Sequence, residues 1–266
     1  MSTRIIITGA ASGIAAAAMS DMQRRGARVV GLDLQDAGED VIRCDVRDQE
    51  SVDRAVAQAI ERLGGRVDVL INCAGLATPQ SAGLPPDERA LAVIDVNMLG
   101  PWRVTSAALP ALRASRGRVV NVASGMAFVA LPFAAAYAMS KHGVVAYSQA
   151  LRLEHGDAIS VCTVYPGYIR TPIHRDSLEF GLTLEGSSPE ESLEDAVLAL
   201  TRAALDERAH RDIITTRTGM LTVALSRFAP GRFVDHVIRG SFRRKLRGRS
   251  LEGASPAVIE FAERLE

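Results

Sequence analysis

Short apolar runs alternate with longer amphipathic segments over most of the chain. The first run, from Arg4 to Thr8, has three isoleucines in succession, which is typical of a strand covered on both faces. Similar runs predict strands at 28–33, 40–44, 67–71, 118–122, 159–164 and 212–216. Because strands that alternate with helices form parallel sheets, we expect an α/β fold, a doubly wound parallel sheet of about seven strands with helices on both faces.

The segments between these runs carry helix signals. Asp48 can cap a helix over 49–63, and Gly26 can end the first helix near Arg25. Ser188 can cap a later helix, with Pro189 at its first helical position and Glu191 completing a capping box. The remaining helices are expected over 87 to about 113 with a bend or break near Gly100-Pro101, over 135–154, and from the capping box Ser188-Pro189-Glu190-Glu191 to about Leu205.

Two segments lie outside this alternation. Residues 168–187 show neither the helical nor the strand periodicity of apolar residues and are interpreted as a loop. Residues 218–266 form a C-terminal extension. Within the extension, a basic amphipathic helix is predicted over 232–249, and such a helix either packs on its own protein, lies on a membrane surface or docks on an acidic partner. Its apolar positions are 233, 234, 237, 238, 242 and 246. No linker composition divides the chain, so we expect one domain over 1–266.

Composition narrows the function classes. Hydrophobic residues make up 47% and charged residues 23%, as in ordinary globular proteins, and the formal net charge of zero gives no overall attraction to nucleic acid or anionic membranes. Cys44, Cys73 and Cys162 lack metal-site spacing, so we expect buried thiols in a reducing compartment and no metal. Since no segment resembles a signal peptide or reaches the ~20 apolar residues of a membrane span, a cytoplasmic protein is predicted.

A glycine-rich turn follows the first strand. Gly9 and Gly13 allow a tight turn, and the N–H groups at the following helix terminus can bind a pyrophosphate. Asp33, 20 residues after Gly13 at the end of the second strand, can accept both hydroxyls of an adenosine ribose. This unit predicts a Rossmann-type dinucleotide site, although an acid that ends a strand is also common as a turn residue.

Tyr137 and Lys141 lie four residues apart on a predicted helix and therefore share one face. A phenol with a pKa of ~10 is ionised to only ~0.1% at neutral pH. An ammonium at ~5 Å and an effective dielectric of ~20 contributes roughly 3 of the ~4 kcal/mol needed to bring that pKa near 7. We therefore expect Lys141 to lower the pKa of Tyr137, so that the phenol exchanges a proton with an alcohol or an alkoxide.

Six motifs occur together in a fixed order. They are Thr8-Gly9-(x)3-Gly13-Ile14, Asn72-Cys73-Ala74-Gly75, Asn97 in Val96-Asn97-Met98-Leu99-Gly100, Ser124, Tyr137-(x)3-Lys141 and Pro166-Gly167-(x)3-Thr171. This order resembles the short-chain dehydrogenase/reductase family, of the compact single-domain kind, over roughly residues 3–217. Ala15 stands where the family usually has a third glycine, and a methyl group should have only a modest effect there.

The resemblance implies a role for individual residues. Tyr137 would be the acid/base and Ser124 would hydrogen-bond the substrate oxygen. Lys141 would bind the nicotinamide ribose, and Asn97 would hold a water that links Lys141 to solvent. Asn72 could instead only stabilise the sheet. The implied cofactor-binding residues, with Asp45 and Val46 bordering the adenine, are Gly9, Ser12, Gly13, Ile14, Asp33, Leu34, Asp45, Val46, Asn72, Ala74, Gly75, Tyr137, Lys141, Pro166, Gly167, Ile169 and Thr171.

Asp33 also bears on the choice of dinucleotide. The family's NADP-preferring members tend to carry a basic residue just before the second glycine or just after this acid, and this chain has Ser12 and Leu34 there. The carboxylate would repel a 2′-phosphate. NAD is therefore expected in preference to NADP.

The stretch between Ser124 and Tyr137 has no charged or hydrogen-bonding side chain. In the family this loop lines the substrate site, so the resemblance implies an apolar pocket and a lipophilic secondary alcohol or ketone, steroid-, terpenoid- or acyl-like. The same side chains could instead fill a core or a dimer interface. The implied pocket residues are Met126, Phe128, Val129, Phe133 and Tyr168, with Phe180 in a lid.

The resemblance implies an NAD-dependent oxidoreductase that transfers hydride between nicotinamide and this substrate, and it leaves other functions open. A catalytically silent NAD-sensing protein could use the same fold, although such relatives commonly lose the tyrosine or lysine. A 3-oxoacyl-thioester reductase would use the same residues, whereas epimerases generally carry a larger C-terminal domain. Relatives are usually dimers or tetramers, so a homodimer or homotetramer is expected.

Overall fold

A parallel sheet is the centre of the structure, a computed structural model that describes residues 2–180, 190–246 and 254–265. The strands are β1 (Arg4–Thr8), β2 (Arg28–Asp33), β3 (Val41–Arg43), β4 (Val69–Asn72), β5 (Arg118–Val122), β6 (Ser160–Tyr165) and β7 (Asp212–Ile214). They pair in the order β3-β2-β1-β4-β5-β6-β7, all parallel. The predicted doubly wound sheet is confirmed.

Helices connect the strands and extend beyond the last one. They are α1 (Gly13–Arg24), α2 (Gln49–Arg62), α3 (Glu88–Ile94), α4 (Gly100–Ser115), α5 (Ala135–His155), α6 (Arg175–Glu179), α7 (Leu193–Leu205), α8 (Arg217–Phe228), α9 (Gly231–Leu246) and α10 (Pro256–Glu263). As predicted, Asp48 caps α2, because its carboxylate accepts the backbone N–H groups of Glu50 and Ser51.

Both faces of the sheet are covered, and β1 illustrates why its sequence is continuously apolar. Ile5 and Ile7 pack into a core with α1 and α7, whereas Ile6 packs into a second core with α2 and α4. All three are fully buried, since successive side chains of a strand point to opposite faces. Ala15 is buried in the first of these cores, so its methyl group is accommodated.

The three cysteines form no disulfide bond in the described residues. Cys44 and Cys162 are buried, Cys73 is partly buried, and all three thiols are free. In the described part of the chain, no helix combines the length and the apolar character that a membrane crossing requires.

The helix predicted over 87 to about 113 is interrupted. Its first part, α3, ends at Ile94, and Asp95–Leu99 form a π-helical turn before α4 begins at Gly100. Pro101 occupies the first turn of α4, where its missing N–H removes one bond to the preceding turn. The predicted break is therefore present, and the π-helical turn contains Asn97, which is buried.

The prediction of a loop over 168–187 is wrong for its first part. Pro172–His174 form a 3₁₀ turn, and α6 follows directly. Residues 181–189 lie outside the described residues. Because α6 has only 5 residues, it is too short to show helical periodicity in the sequence.

The predicted capping box does not begin the following helix. Ser188 and Pro189 lie outside the described residues, and α7 begins only at Leu193. The Ser192 hydroxyl caps α7 instead, because it accepts the N–H of Asp195 at 3.0 Å. The predicted start of this helix is therefore wrong, and its cap is a different serine closer to the helix.

Glu191 is displaced from the helix because its side chain makes tertiary contacts. It is 4% exposed, and its Oε2 accepts the Gly167 N–H at 2.5 Å and the Thr215 hydroxyl at 2.6 Å. Its Oε1 is buried without a hydrogen-bond partner among the described residues. Burial raises the pKa of Glu191 above its usual value, although the two hydrogen bonds lower it.

The C-terminal helices pack around a small apolar cluster of their own. Its buried members are Phe133, Phe242, Val258 and Leu265. The predicted amphipathic helix over 232–249 is present as α9, which ends at Leu246, and residues 247–249 lie outside the described residues. Through Phe242, α9 packs part of its apolar face on its own protein.

We expect the free energy of unfolding of the wild-type protein to fall relative to that of Glu191→Gln as the pH rises through the ordinary carboxyl value of 4.5. With a raised pKa, the folded state binds more protons than the unfolded chain above that pH, so stability decreases with rising pH. Glutamine keeps an oxygen acceptor and does not titrate. Denaturant unfolding across this range measures the difference.

The exposed Glu194 provides the matched control for this measurement. The Glu194→Gln variant should follow the pH dependence of the wild type closely, because its carboxylate is in water in both states. A difference between wild type and Glu191→Gln that stays constant with pH would contradict the effect of burial.

Phe242 and Phe233 allow a matched test of packing on one helix, since Phe242 is 3% exposed and Phe233 52%. Phe242→Ala should lower the free energy of unfolding by about 3 kcal/mol, because it removes a buried ring from the cluster. Phe233→Ala should lower it by less than about 1 kcal/mol. Denaturant unfolding followed by circular dichroism measures both. Equal losses would show that Phe242 does not pack as described.

Candidate active site

The carboxyl edge of the sheet brings most of the predicted site residues together. The strand order reverses between β1 and β4, the place where doubly wound sheets bind ligands. The glycine turn follows β1, the segment from Asn72 to Gly75 follows β4, and Ser124 follows β5. Tyr137 and Lys141 reach the same edge from α5.

The glycine turn has the geometry that its sequence predicts. Gly9 has φ +77°, and a Cβ there would lie 2.8 Å from the Cα of Ala74, while Gly13 has φ +58°. Ser12 precedes α1 without a side-chain capping bond, and the first turn of α1 has no acidic residue. This helix terminus can therefore bind an anion through its N–H groups. Ile14 packs partly against the core below.

Asp33 braces the glycine turn. Its Oδ2 accepts the Ala11 N–H at 2.9 Å, and its Oδ1 accepts the Gln35 N–H at 2.9 Å. This is the turn role that the sequence left open. Each carboxylate oxygen can accept a further hydrogen bond, so the ribose role is compatible with it. The neighbouring Leu34 is exposed.

Thr8 has a function that sequence reasoning missed. Its hydroxyl accepts the N–H groups of Cys73 and Ala74, both at 3.0 Å, and so joins the end of β1 to the loop after β4. The available signal was a hydroxyl residue at the end of a continuous apolar strand. Such a residue can serve backbone groups that the strand itself leaves unpaired.

The residues predicted to border the adenine follow β3. Asp45 pairs with Arg47 at 2.7 Å, and the guanidinium holds the pKa of that carboxyl below its usual value. Val46 is buried against α4, because a Cβ on Gly100 would come within 3.0 Å of its Cγ2. Their contact with an adenine stays a prediction.

Asn72 lies inside the fold. Its amide donates to the Thr105 hydroxyl at 3.0 Å and to the Asn121 side-chain oxygen at 2.8 Å. Asn121 in turn donates to the Ser148 hydroxyl at 2.8 Å. These bonds join β4 and β5 to α4 and α5, so they favour the sheet-stabilising alternative for Asn72.

Asn97 holds the loop after β4 by its side chain. Its Oδ1 accepts the Leu76 N–H at 2.7 Å, and its Nδ2 donates to the Leu76 carbonyl at 2.8 Å and the Ser140 hydroxyl at 3.1 Å. Both amide protons are therefore used, and the predicted water between Lys141 and solvent stays a prediction. The clamped loop contains Gly75, where a Cβ would lie 3.9 Å from the Nζ of Lys141.

Tyr137 and Lys141 share a face of α5, as predicted. The Lys141 Nζ lies 5.6 Å from the centroid of the Tyr137 ring and donates to the Val122 carbonyl at 2.9 Å. Ser124 lies near the Tyr137 hydroxyl, and its side chain acts to lower the pKa of that phenol. Its hydroxyl also accepts the N–H of Met126 at 3.2 Å, which holds it at the start of a 3₁₀ turn.

The expected effect of Lys141 on the pKa of Tyr137 is wrong for this structure. Burial raises the pKa of Tyr137 above its usual value and outweighs the interaction with the Ser124 side chain, which lowers it. Burial also lowers the pKa of Lys141 to about 8. Removal of water disfavours the charged form of each group, and the sequence argument counted their attraction without this cost.

The loop after β6 reaches the glycine turn. The Gly167 N–H is held by the buried glutamate described above, and the Pro166 carbonyl accepts the Gly125 N–H at 3.2 Å. A Cβ on Gly13 would lie 3.9 Å from Thr171. The loop predicted to hold the nicotinamide end therefore lies beside the turn predicted to hold the pyrophosphate.

Two of the predicted pocket residues pack into cores. The Phe128 ring lies 4.9 Å from that of Tyr165, between centroids. The Phe133 ring lies 5.8 Å from that of Phe180 and 5.3 Å from that of Phe261. For Phe128 and Phe133, and for Phe180 as a lid, these contacts favour the core-filling alternative.

The other three predicted pocket residues lie outside the two clusters that contain Phe128 and Phe133. Met126, Val129 and Tyr168 are partly exposed, whereas Ile169, predicted to contact the cofactor, is buried. The Tyr168 ring lies 4.8 Å from the ring of His174, between centroids. Three of the five predicted side chains thus remain candidates for contact with a substrate.

Comparisons with known proteins agree with this geometry. Residues 3–180 match a family described as short chain dehydrogenase. The chain is similar to a Streptomyces coelicolor protein with the provisional name ketoacyl reductase, 37% identical over 186 residues, which cover 63% of this chain and 71% of the relative. It is also similar to retinol dehydrogenase 16 from Mus musculus, 36% identical over 183 residues, which cover 64% of this chain and 57% of the relative.

A solved structure extends the likeness beyond the matched residues. The chain is similar to a short chain dehydrogenase from Burkholderia cenocepacia in complex with NADP, with 26% identity and a TM-score of 0.74. The similarity covers 88% of this chain and 96% of that one. Since the family match includes both the glycine turn and the Tyr137–Lys141 pair, the chain belongs to the short-chain dehydrogenase/reductase family of oxidoreductases.

Proposed function

We propose that the protein is an NAD-dependent oxidoreductase that transfers hydride between nicotinamide and a lipophilic secondary alcohol or ketone. The observation that carries this proposal is the arrangement of three side chains. The Ser124 side chain lies near the Tyr137 hydroxyl and acts to lower its pKa, and the Lys141 Nζ lies 5.6 Å from the centroid of the Tyr137 ring. A phenol beside a hydroxyl and an amine can exchange a proton with a substrate oxygen.

The glycine turn fits a dinucleotide. The terminus of α1 has neither a side-chain cap nor an acid in its first turn, and Gly9 leaves no space for a Cβ. Asp33 retains acceptor capacity for ribose hydroxyls while it braces the turn. Lys141 offers further donors at the other end of the site. When bound, the nicotinamide would supply a carbon that accepts or gives hydride.

Tyr137 would act as the proton donor in ketone reduction. Because burial raises the pKa of Tyr137, the phenol keeps its proton at neutral pH and can give it to a substrate oxygen. The Ser124 hydroxyl would hydrogen-bond the same oxygen, and Lys141, with a pKa of about 8, would stabilise the resulting phenolate. In alcohol oxidation the same proton moves in the opposite direction.

The apolar stretch after Ser124 supports a lipophilic substrate. Met126 and Val129 are partly exposed beside the candidate site and offer no hydrogen bonds. The similarity to a retinol dehydrogenase also supports an apolar alcohol. A 3-oxoacyl thioester is the second candidate, because another relative carries the name ketoacyl reductase. Turnover of lipophilic alcohols and of 3-oxoacyl thioesters, measured by the absorbance of reduced cofactor, separates the two substrate classes. A protein that only binds NAD would turn over neither class.

We expect Tyr137→Phe to lower kcat by at least about 100-fold, because the variant lacks the exchangeable proton. Its affinity for NAD should change little, since the ring stays in place. Steady-state kinetics and calorimetric titration with NAD measure the two effects. Tyr147→Phe, on the same helix, is the matched control and should stay close to wild type. More than a few per cent of kcat in Tyr137→Phe would show that this assignment is wrong.

NAD should exceed NADP in kcat/KM by at least about tenfold, because Asp33 would place a carboxylate beside the 2′-phosphate. Asp33→Asn keeps an acceptor for the Ala11 N–H and removes the charge, so the ratio should fall towards one. Asp36→Asn is the matched control. It also removes a negative charge close to Asp33, but the Asp36 carboxylate accepts the Gly38 N–H, so the NAD-to-NADP ratio should be preserved. Equal kcat/KM values for the two cofactors in the wild type would contradict this preference.

A further inference from the structure

The hairpin of α8 and α9 exposes several large apolar side chains. The described residues contain fifteen exposed side chains of this kind, and one third of them lie between positions 220 and 237. Single exposed apolar residues are common, but a concentration of them indicates an interaction surface. The five side chains with their exposed fractions are Met220 51%, Leu221 61%, Phe228 87%, Phe233 52% and Val237 50%.

The exposed side chains follow helical spacing. Leu221 and Phe228 are seven residues apart on α8, with Met220 beside them, and therefore lie on one face. Phe233 and Val237 are four residues apart on α9. The exposed face of α9 is not the one that packs on the protein, since α9 buries Phe242 on its other side.

Positive charge accompanies this apolar surface. Residues 217–246 contain seven arginines and lysines and a single acid, a formal charge of +6 on a chain whose total is zero. Arg232, Arg239 and Arg243 are exposed and, with spacings of seven and four, form one stripe along α9. Asp235 is the only acid in this segment.

We propose that the α8–α9 hairpin docks on an anionic membrane surface. The apolar side chains would enter the interface, and the arginine stripe would contact the anionic headgroups, as in interfacial amphipathic helices. An acidic protein would match the charge but would leave rings such as Phe228 without a clear role. The proposal does not depend on the proposed function.

A second copy of the chain is a poorer occupant of this surface. A symmetric dimer brings the same patch of both subunits together, so two copies of the exposed arginine stripe would face each other. An anionic bilayer has the opposite charge and can accept apolar side chains along both helices. Because α8 also contacts the Gly125–Ala127 turn, the docked surface would lie one helix away from the candidate site.

Co-sedimentation of the full-length protein with vesicles tests the proposal. We expect binding to vesicles of phosphatidylcholine with about one third phosphatidylglycerol, and at least about tenfold weaker binding to phosphatidylcholine alone. Raised salt should weaken the binding because it screens the arginines. Absence of binding to the anionic vesicles, or equal binding to both kinds, would overturn the proposal.

Paired substitutions separate the apolar and the charged contributions. Phe228→Ser with Phe233→Ser should weaken binding by about tenfold per side chain. Arg239→Gln with Arg243→Gln should weaken it by about fivefold per arginine. Leu84→Ser and Arg54→Gln, which change exposed residues elsewhere, are the matched controls and should bind like wild type.

The same variants identify a different occupant. Because all four target side chains are exposed, circular dichroism and thermal unfolding should stay close to wild type. Vesicle binding by the phenylalanine variant at the wild-type level would overturn the proposal. So would a fall in its molar mass, measured by light scattering without vesicles, since this would assign the surface to a second copy of the chain.

Discussion

Three buried side chains hold the loops at the carboxyl edge of the sheet by replacing backbone hydrogen-bond partners. Thr8 accepts two N–H groups after β4, Asn97 both donates to and accepts from Leu76, and Glu191 accepts the N–H of Gly167. Loops that enter a protein interior carry polar groups whose desolvation is costly unless they are paired. Thr8 and Asn97 meet that need for the loop after β4, and Glu191 meets it for the loop after β6. The positions of the loops after β4 and β6 are therefore consequences of folding.

The same burial decides the charge states at the site. Tyr137, Lys141 and Glu191 all have pKa values shifted towards the neutral form, with loss of water as the largest cause in each case. An environment that disfavours a lone charge also strengthens its interaction with an opposite charge, because the effective dielectric is low. Burial thus keeps Tyr137 protonated and also makes the amine of Lys141 more effective once a phenolate forms. The two effects have one origin.

The sequence predicted features that depend on local pattern. The strands follow from short apolar runs, the turn from Gly9 and Gly13, and the shared face of Tyr137 and Lys141 from helical spacing. It could not predict contacts between distant segments. The bond from Gly167 to Glu191 spans 24 positions, and it is this contact that removes Glu191 from the helix its local sequence suggested. The predicted direction of the pKa shift of Tyr137 was wrong for a similar reason, since desolvation depends on which residues the fold places around the ring.

The net charge of the whole chain does not describe the charge of its individual surfaces. A total of zero excluded a general attraction to anionic surfaces, yet 217–246 carries +6 and the rest of the chain must carry the compensating −6. Ions screen exposed charges over about 8 to 10 Å at physiological ionic strength, which is less than the width of such a domain. A surface in contact with α9 therefore interacts with the local arginines and only weakly with the distant acids. Net charge describes the field far from the protein, whereas the distribution of charge along the helices determines what can dock on it.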